Sequence, residues 1–225
     1  MKKRLLKIYN IILFSLIALF SCNTKVYAEE VLLKDDEYYR EGMYNFVDRS
    51  YSEAARSFGE ISKNYIYSSF LKKAYMMEVF CNFLNKEYAK IEGIVATFLL
   101  LFPHDENVPY MLYMKGLGHY YIIKDESRMI NESKESLEIF KSIFTKYPNS
   151  IYAQPAKEKY SFLNHNIQLH ELKMAEFEYN RGNVIAALVG YKRVLKESEN
   201  INEEIKKRAE LRIKTITQSL SIDGF

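Results

Sequence analysis

No tryptophan occurs in the 225 residues, cysteine occurs only twice, proline four times and glycine eight times. Each scarcity removes a class of chemistry. Two cysteines, Cys22 and Cys81, are too few for a disulfide framework or a cysteine-ligated zinc site. Glycine is nowhere clustered, which leaves no phosphate-cradling loop and no serine flanked by glycines for a nucleophile elbow. The four histidines lack metal spacing. His104 stands beside Pro103, His119 lies in a tyrosine-rich stretch, and His165 and His170 are five apart. A zinc-binding helix needs its pair four apart with a glutamate between, so that both rings face one ion. The adjacent carboxylates Glu29–Glu30, Asp35–Asp36 and Glu203–Glu204 fall on different helix faces or in solvated ends, and read as solubilising charge. The sequence predicts no catalytic residue, no metal and no cofactor.

Long apolar runs are also scarce. The one at Ile11–Phe20 follows Lys2, Lys3, Arg4 and Lys7 and precedes the small pair Ser21 and Cys22, which is the layout of a secretory signal. It is shorter than the ~20 residues that a helix needs to cross a hydrocarbon core. Two processing sites compete. Leu19-Phe20-Ser21-Cys22 is lipobox-like, with cleavage before a cysteine that then carries lipid; Val26-Tyr27-Ala28 is a small-x-small site for ordinary release. The first reading makes residues 1–21 a removed signal, Cys22 the lipid-attachment residue and 22–31 an anchor linker. Several acyl chains hold such a cysteine firmly where one would bind only reversibly.

The charge balance changes with that reading. Four of the 32 basic residues lie in the leader and none of the 29 acidic ones does, so the chain from Cys22 carries 28 against 29. A near-neutral protein gives no electrostatic case for nucleic acid, whose binding rests on neutralising phosphates. The remaining 204 residues suffice for one substantial core or an elongated repeat array. Cys81, in the apolar context Val79-Phe80-Cys81-Asn82-Phe83, is expected to be buried and inert.

What the chain has in abundance is aromatic surface and helical periodicity. Apolar residues recur at three- and four-residue spacing from Glu37 onward, and glycine and proline fall almost only between such segments. Helices are predicted at 32–46, 51–64, 69–85, 88–102, 109–122, 132–147, 152–181, 184–198 and 202–219, with Pro103 and Pro148 as stops and Asn107 and Ser150 as N-caps. No glycine or proline interrupts Ala156–Arg181, so one long helix serves two neighbouring hairpins.

A repeat test follows. Gly42, Tyr51, Ala54 and Phe58; Tyr88, Ile91, Val95, Phe98 and Pro103; Gly116, then, past a polar insertion around Asp125–Ser133, Ser136, Phe140, Ile143 and Pro148; and Ala175, Gly182, Ala187, Tyr191 and Val194 each approximate a tetratricopeptide unit. Residues Ile201–Ser219 resemble a final half-unit. The expected fold is all-α, a right-handed superhelical solenoid of about five tetratricopeptide-like hairpins, with an irregular helical bundle as the competing reading. Units 1–2 would span 32–106 and units 3–5 would span 107–225, with the shared helix at about 152–181.

Nineteen tyrosines and fourteen phenylalanines exceed what core stripes alone require. Tyrosine pairs an apolar ring with a polar tip and is favoured at protein interfaces. A solenoid groove lined by such rings receives extended or helical segments, so binding is the expected activity.

Three segments carry a resemblance. Asp105-Glu106-Asn107-Val108-Pro109-Tyr110-Met111-Leu112-Tyr113-Met114-Lys115-Gly116-Leu117, Lys146-Tyr147-Pro148-Asn149-Ser150-Ile151-Tyr152-Ala153 and Ala175-Glu176-Phe177-Glu178-Tyr179-Asn180-Arg181-Gly182 resemble, in order and separation, the BamD family of outer-membrane assembly lipoproteins. The resemblance covers nearly the whole chain after the leader. It implies a subunit of the β-barrel assembly machinery, anchored through lipid to the periplasmic face of the outer membrane. Its implied partners are the periplasmic domains of the central barrel subunit, other assembly lipoproteins and unfolded outer-membrane clients. By position, Tyr38, Tyr44, Tyr51 and Tyr75 would wall the client groove. Tyr179, Arg181 and Gly182, with Lys192 and Arg193 of the following helix, would form the docking surface. A basic, interface-forming position of that family falls on Gly190 here. The competing functions are another periplasmic tetratricopeptide adaptor, as in cell-wall synthesis or division, and an enzyme with a helical accessory region, for which the chain offers no catalytic constellation.

Overall fold

The computed structural model describes residues 34–122, 126–197 and 200–222, and every regular element among them is helical. Helix α1 covers residues 34–47. It is followed by α2 (Tyr51–Asn64), α3 (Leu71–Leu84), α4 (Tyr88–Leu101), α5 (Val108–Ile122), α6 (Glu126–Lys146), α7 (Ala153–Asn180), α8 (Val184–Glu197) and α9 (Glu203–Ile222). Within each of two units, helices adjacent in sequence pack against one another, as hairpin repeats require. The chain forms two compact units, one ending at Pro103 and the other starting at His104. The signal, Cys22 and the anchor linker lie outside the described residues.

Unit 1 contains α1–α4. A Cβ on Gly42 would lie 2.8 Å from the Phe58 ring, so only glycine lets α1 cross α2 with that ring between them. Ala54, Phe58, Ile61, Ala74 and Cys81 are buried there, and Tyr38, Tyr39 and Phe46 of α1 pack over them. Tyr39 stacks on Phe70 at 4.5 Å and meets Phe58 edge-on at 5.6 Å. In the second hairpin Ile91, Val95 and Phe98 form the buried face of α4.

Unit 2 contains α5–α9 and has two more glycine crossings, one under a ring and one against an alanine. Gly116 of α5 would place a Cβ 2.8 Å from the Phe140 ring of α6, and the Ser136 hydroxyl donates to the Gly116 carbonyl at 2.9 Å. Gly190 of α8 would place one 2.9 Å from the Ala175 Cβ of α7. The 28 residues of α7 serve two cores. Its first half closes over Phe140 and Ile143 of α6 through Ala156, Tyr160 and Leu163, and its second half packs Leu172 and Ala175 against Ala187, Tyr191 and Val194 of α8 and Ile205, Ala209 and Ile216 of α9. This is the tetratricopeptide-like helical arrangement.

Three expectations are corrected. Helix α6 begins at Glu126, inside the stretch expected to be a polar insertion before 132. That stretch has no apolar stripe but also no glycine or proline, and propensity sustains the helix. Asn107 precedes α5 and its carbonyl accepts the Met111 N–H, but its side-chain amide donates to Asp105 Oδ1 at 2.8 Å instead of capping. The cap residue of α7 is Tyr152, and Ser150 sits two residues earlier with its hydroxyl accepting the Tyr152 N–H at 3.2 Å.

Candidate functional site: two exposed apolar faces

In unit 1, α1 buries Gly42 and half-buries Tyr38, Tyr39 and Phe46, which leaves its other face outside. On that face Tyr44 is 74% exposed and Val47 76%, with Met43 beside them. Tyr44 and Val47, three apart, share one stripe of the helix. Lys34, Glu37, Tyr38 and Glu41 of the same helix line a shallow cleft. Of the four tyrosines expected to wall a groove, the structure leaves Tyr44 largely exposed and two others partly open. Tyr38 tilts toward Tyr65 at 6.1 Å, and Tyr51 lies 6.0 Å from Phe46.

Tyr75 is different. It is 5% exposed, its ring meets Phe98 edge-on at 6.0 Å, and its hydroxyl donates to the Ser62 carbonyl at 3.3 Å. Burial, then the nearby Glu78 carboxylate, raises its pKa. It joins α2, α3 and α4 as a core residue, not as a groove wall. The sequence could not separate the two roles, because α3 is apolar on nearly every side.

Glu78 itself is instructive. Its carboxyl accepts from the Ser62 hydroxyl at 2.9 Å in a cleft lined by Arg56, Gly59, Lys63, Asn82 and Lys90. A Cβ on Gly59 would lie 3.0 Å from it. Burial raises its pKa, against the lowering effects of Ser62 and Lys63. Neighbouring Cys81, fully buried, has its thiol pushed up to about 12 by burial and by Glu78. A thiol held neutral in this way is neither nucleophile nor metal ligand.

In unit 2 the second face surrounds the turn between α7 and α8. The Gly182 N–H donates to the Tyr179 carbonyl and the Asn183 N–H to the Glu178 carbonyl, both at 3.0 Å, and Gly182 has φ +85°. This double bond pattern closes a helix with a left-handed residue that glycine adopts most cheaply. Gly182 is thus a turn-former, and Arg181 and the exposed stripes on either side supply the surface. Helix α8 buries Ala187, Tyr191 and Val194 on one side and presents Ile185, Val189, Lys192 and Arg193 on the other. Ile185 is 64% exposed and Val189 60%, while Met174 and Phe177 stand out on α7. The Arg181 guanidinium lies 5.3 Å from the Phe177 ring centre. Tyr179, half-buried, is covered by the Arg212 guanidinium of α9 at 4.9 Å.

Gly190 is not on this face. It is buried at the α7–α8 crossing against Ala175, so no basic side chain fits there, and the departure from the family's basic position is a packing requirement of this chain. Ile185 and Val189, missed by residue-by-residue transfer, were signalled by spacing: α8 carries two apolar stripes where a surface helix needs one.

Among the described residues no group of three histidine, cysteine or carboxylate side chains could hold a metal, and no helix is long and apolar enough to cross a membrane. Hairpins locked by glycine against a ring, with apolar side chains left on the outer stripes, define a helical-repeat protein of the tetratricopeptide-like class. The family model described as YfiO, outer membrane lipoprotein, matches residues 33–219, and the chain belongs to that family. It is similar to proteins named outer membrane protein assembly factor BamD. The one from Rickettsia prowazekii is 24% identical over 85% of this chain and 76% of that protein. The one from Pasteurella multocida is 26% identical over 79% of this chain and 72% of its own length. The Caulobacter vibrioides protein is 23% identical over 67% of this chain, a match spanning about half of that relative.

Proposed function

We propose that the chain is a non-enzymatic scaffold subunit of the outer-membrane β-barrel assembly complex, held through lipid on Cys22 at the periplasmic face of the outer membrane. The family match over 33–219, to relatives named as assembly factors, carries this reading. In it the exposed stripe of α1 around Tyr44, flanked by Tyr38 and Tyr51, receives unfolded clients. The α7–α8 turn, with Arg181, Lys192 and Arg193 ringing Ile185 and Val189, docks on the periplasmic domains of the central barrel subunit. The apolar stripes supply affinity, and the cationic rim steers and orients an acidic partner. A lipid anchor raises the local concentration of both faces beside the membrane, so no nucleotide cycle is needed.

Affinity capture from the source membranes after brief crosslinking tests the assignment. Recovery of a large β-barrel protein with repeated periplasmic domains is expected, and recovery of cell-wall enzymes alone would sink it in favour of an adaptor in wall synthesis or division. The anchor is tested separately. Cys22→Ser should release the protein from membranes once partner contacts are stripped with urea, whereas a variant that stays bound places the anchor elsewhere.

A further inference from the structure

A third exposed apolar feature lies at one end of unit 1, where α1 begins, α2 finishes, α3 begins and α4 finishes. Ring contacts fix that placement. Tyr38 of α1 tilts toward Tyr65, which follows α2, and Tyr39 stacks on Phe70, which precedes α3. The Lys72 ammonium in the first turn of α3 lies 5.2 Å from the centre of the Phe102 ring, which follows α4. Tyr44 and Val47 lie toward the other end of α1.

The connection between α2 and α3 projects from this end. The Ser68 N–H donates to the Tyr65 carbonyl at 2.9 Å, and the Ser68 hydroxyl accepts the Phe70 N–H at 3.0 Å. Ile66 and Tyr67 are therefore the two central residues of a hydrogen-bonded turn. Turns favour glycine, proline, asparagine, aspartate and serine. Here the tip is an exposed isoleucine and a tyrosine that is 96% exposed and adds almost nothing to the core. Leu100, 81% exposed, and Leu101 close α4 at the same end. Lys34, Lys63, Lys72 and Lys73 are exposed there too, against the carboxylates of Asp36, Glu37 and Glu60, a near balance that leaves affinity to the apolar side chains.

The chain also enters the fold at this end. Cys22 stands twelve residues before Lys34, and twelve residues span at most about 40 Å. Resting on the reading of Cys22 as the lipid-attachment residue, we propose that this end of unit 1 seats on the phospholipid surface, with Ile66 and Tyr67 entering the boundary between headgroups and acyl chains and Leu100 lying against the headgroups. Tyrosine suits that depth, because its ring is apolar while its hydroxyl stays among the headgroups. Apolar contact at the interface adds to the hold of the acyl chains and turns a point tether into a fixed orientation. Tyr44, about 15 Å from Lys34 along α1 at 1.5 Å per residue, is then held clear of lipid.

The absence of tryptophan supplies the test, since Tyr67→Trp introduces a single indole reporter. The full chain without its leader is coupled through Cys22 to maleimide-bearing lipid in vesicles of phosphatidylethanolamine and phosphatidylglycerol. Cys81, buried and with its thiol pushed up to about 12, does not compete. Coupling supplies the tether whether or not cells acylate Cys22, so failure of the seat is distinguishable from failure of the anchor, which the mass of the protein purified from its membranes reports. Emission from Tyr67→Trp should move to the blue and lose most of its intensity when the phospholipid carries bromine on its acyl chains. Tyr44→Trp should do neither. Ile66→Ser with Leu100→Ser, at exposed positions that leave folding intact, should remove most of the quenching of Tyr67→Trp. Unshifted and unquenched emission from Tyr67→Trp would overturn the proposal and leave this end to a protein partner. Equal quenching of Tyr44→Trp, or quenching that survives the two serine changes, would overturn it in favour of contact without a preferred face.

Discussion

At the scale of single residues, the glycines at helix crossings and one buried carboxyl set the terms. Gly190 faces Ala175 with no room for a Cβ, so Gly190→Arg, the change that would install a basic residue there, should cost at least about 3 kcal/mol through overpacking and charge burial. Urea unfolding of both chains measures it; a variant of native stability would mean that the α7–α8 crossing is looser than drawn here. Glu78 makes a pH prediction. A carboxyl whose folded-state pKa is raised is favoured in the fold as the neutral acid. Its contribution is therefore fully present below the unfolded value of 4.5 and is lost as pH climbs through the raised folded value. Glu78→Gln should flatten that decline and be the more stable chain at neutral pH, as read from thermal unfolding across pH 4–8. A steeper decline in the variant would contradict burial as the cause. Cys81, with its thiol pushed up to about 12, should resist thiol reagents at pH 8 until unit 1 opens.

At the scale of elements, three turns between paired helices use one device. Gly182, Arg49 and Lys86 all have positive φ, and each donates its N–H to a carbonyl three residues back, with the next N–H bonding five back. Glycine adopts that conformation without strain, whereas arginine and lysine there cost about 1 kcal/mol. Lys86→Gly should stabilise the protein by roughly that amount and Gly182→Ala should destabilise it similarly, visible as opposite shifts in Tm; a loss of stability in Lys86→Gly would mean that its side chain matters more than its backbone. The same scale shows what was readable in advance. Most helices were legible because prolines and turn residues interrupt an otherwise continuous apolar period, and α7 was legible as one helix because no glycine or proline follows Pro155 of its first turn. The early start of α6 was not, since Glu126–Asn131 carries propensity without periodicity. The buried role of Tyr75 was hidden for the opposite reason, in that α3 is apolar on so many sides that no stripe marks its core face.

At the scale of the whole molecule, the separation into units ending and starting at Pro103 and His104 puts the two exposed apolar faces on different cores. Tyr44 and Val47 are on the first unit, and Ile185, Val189 and Arg181 are on the second. Substitutions at such exposed positions ordinarily change stability by no more than about 0.5 kcal/mol, so partner loss can be read without unfolding. Arg181→Glu combined with Ile185→Asp should abolish capture of the barrel subunit, because it reverses one rim charge and places another in the apolar stripe. Tyr44→Ser with Val47→Ser should leave that capture intact and weaken crosslinking to unfolded barrel clients. Raising salt from 0.15 to about 0.6 M shortens the screening length from about 8 Å to about 4 Å. On the proposed assignment it should therefore slow docking through the cationic face of α8 while sparing client binding at the apolar and aromatic stripe of Tyr44 and Val47 on α1. If both variant pairs lose both partners together, the faces act as one surface and the division of labour between the units is wrong.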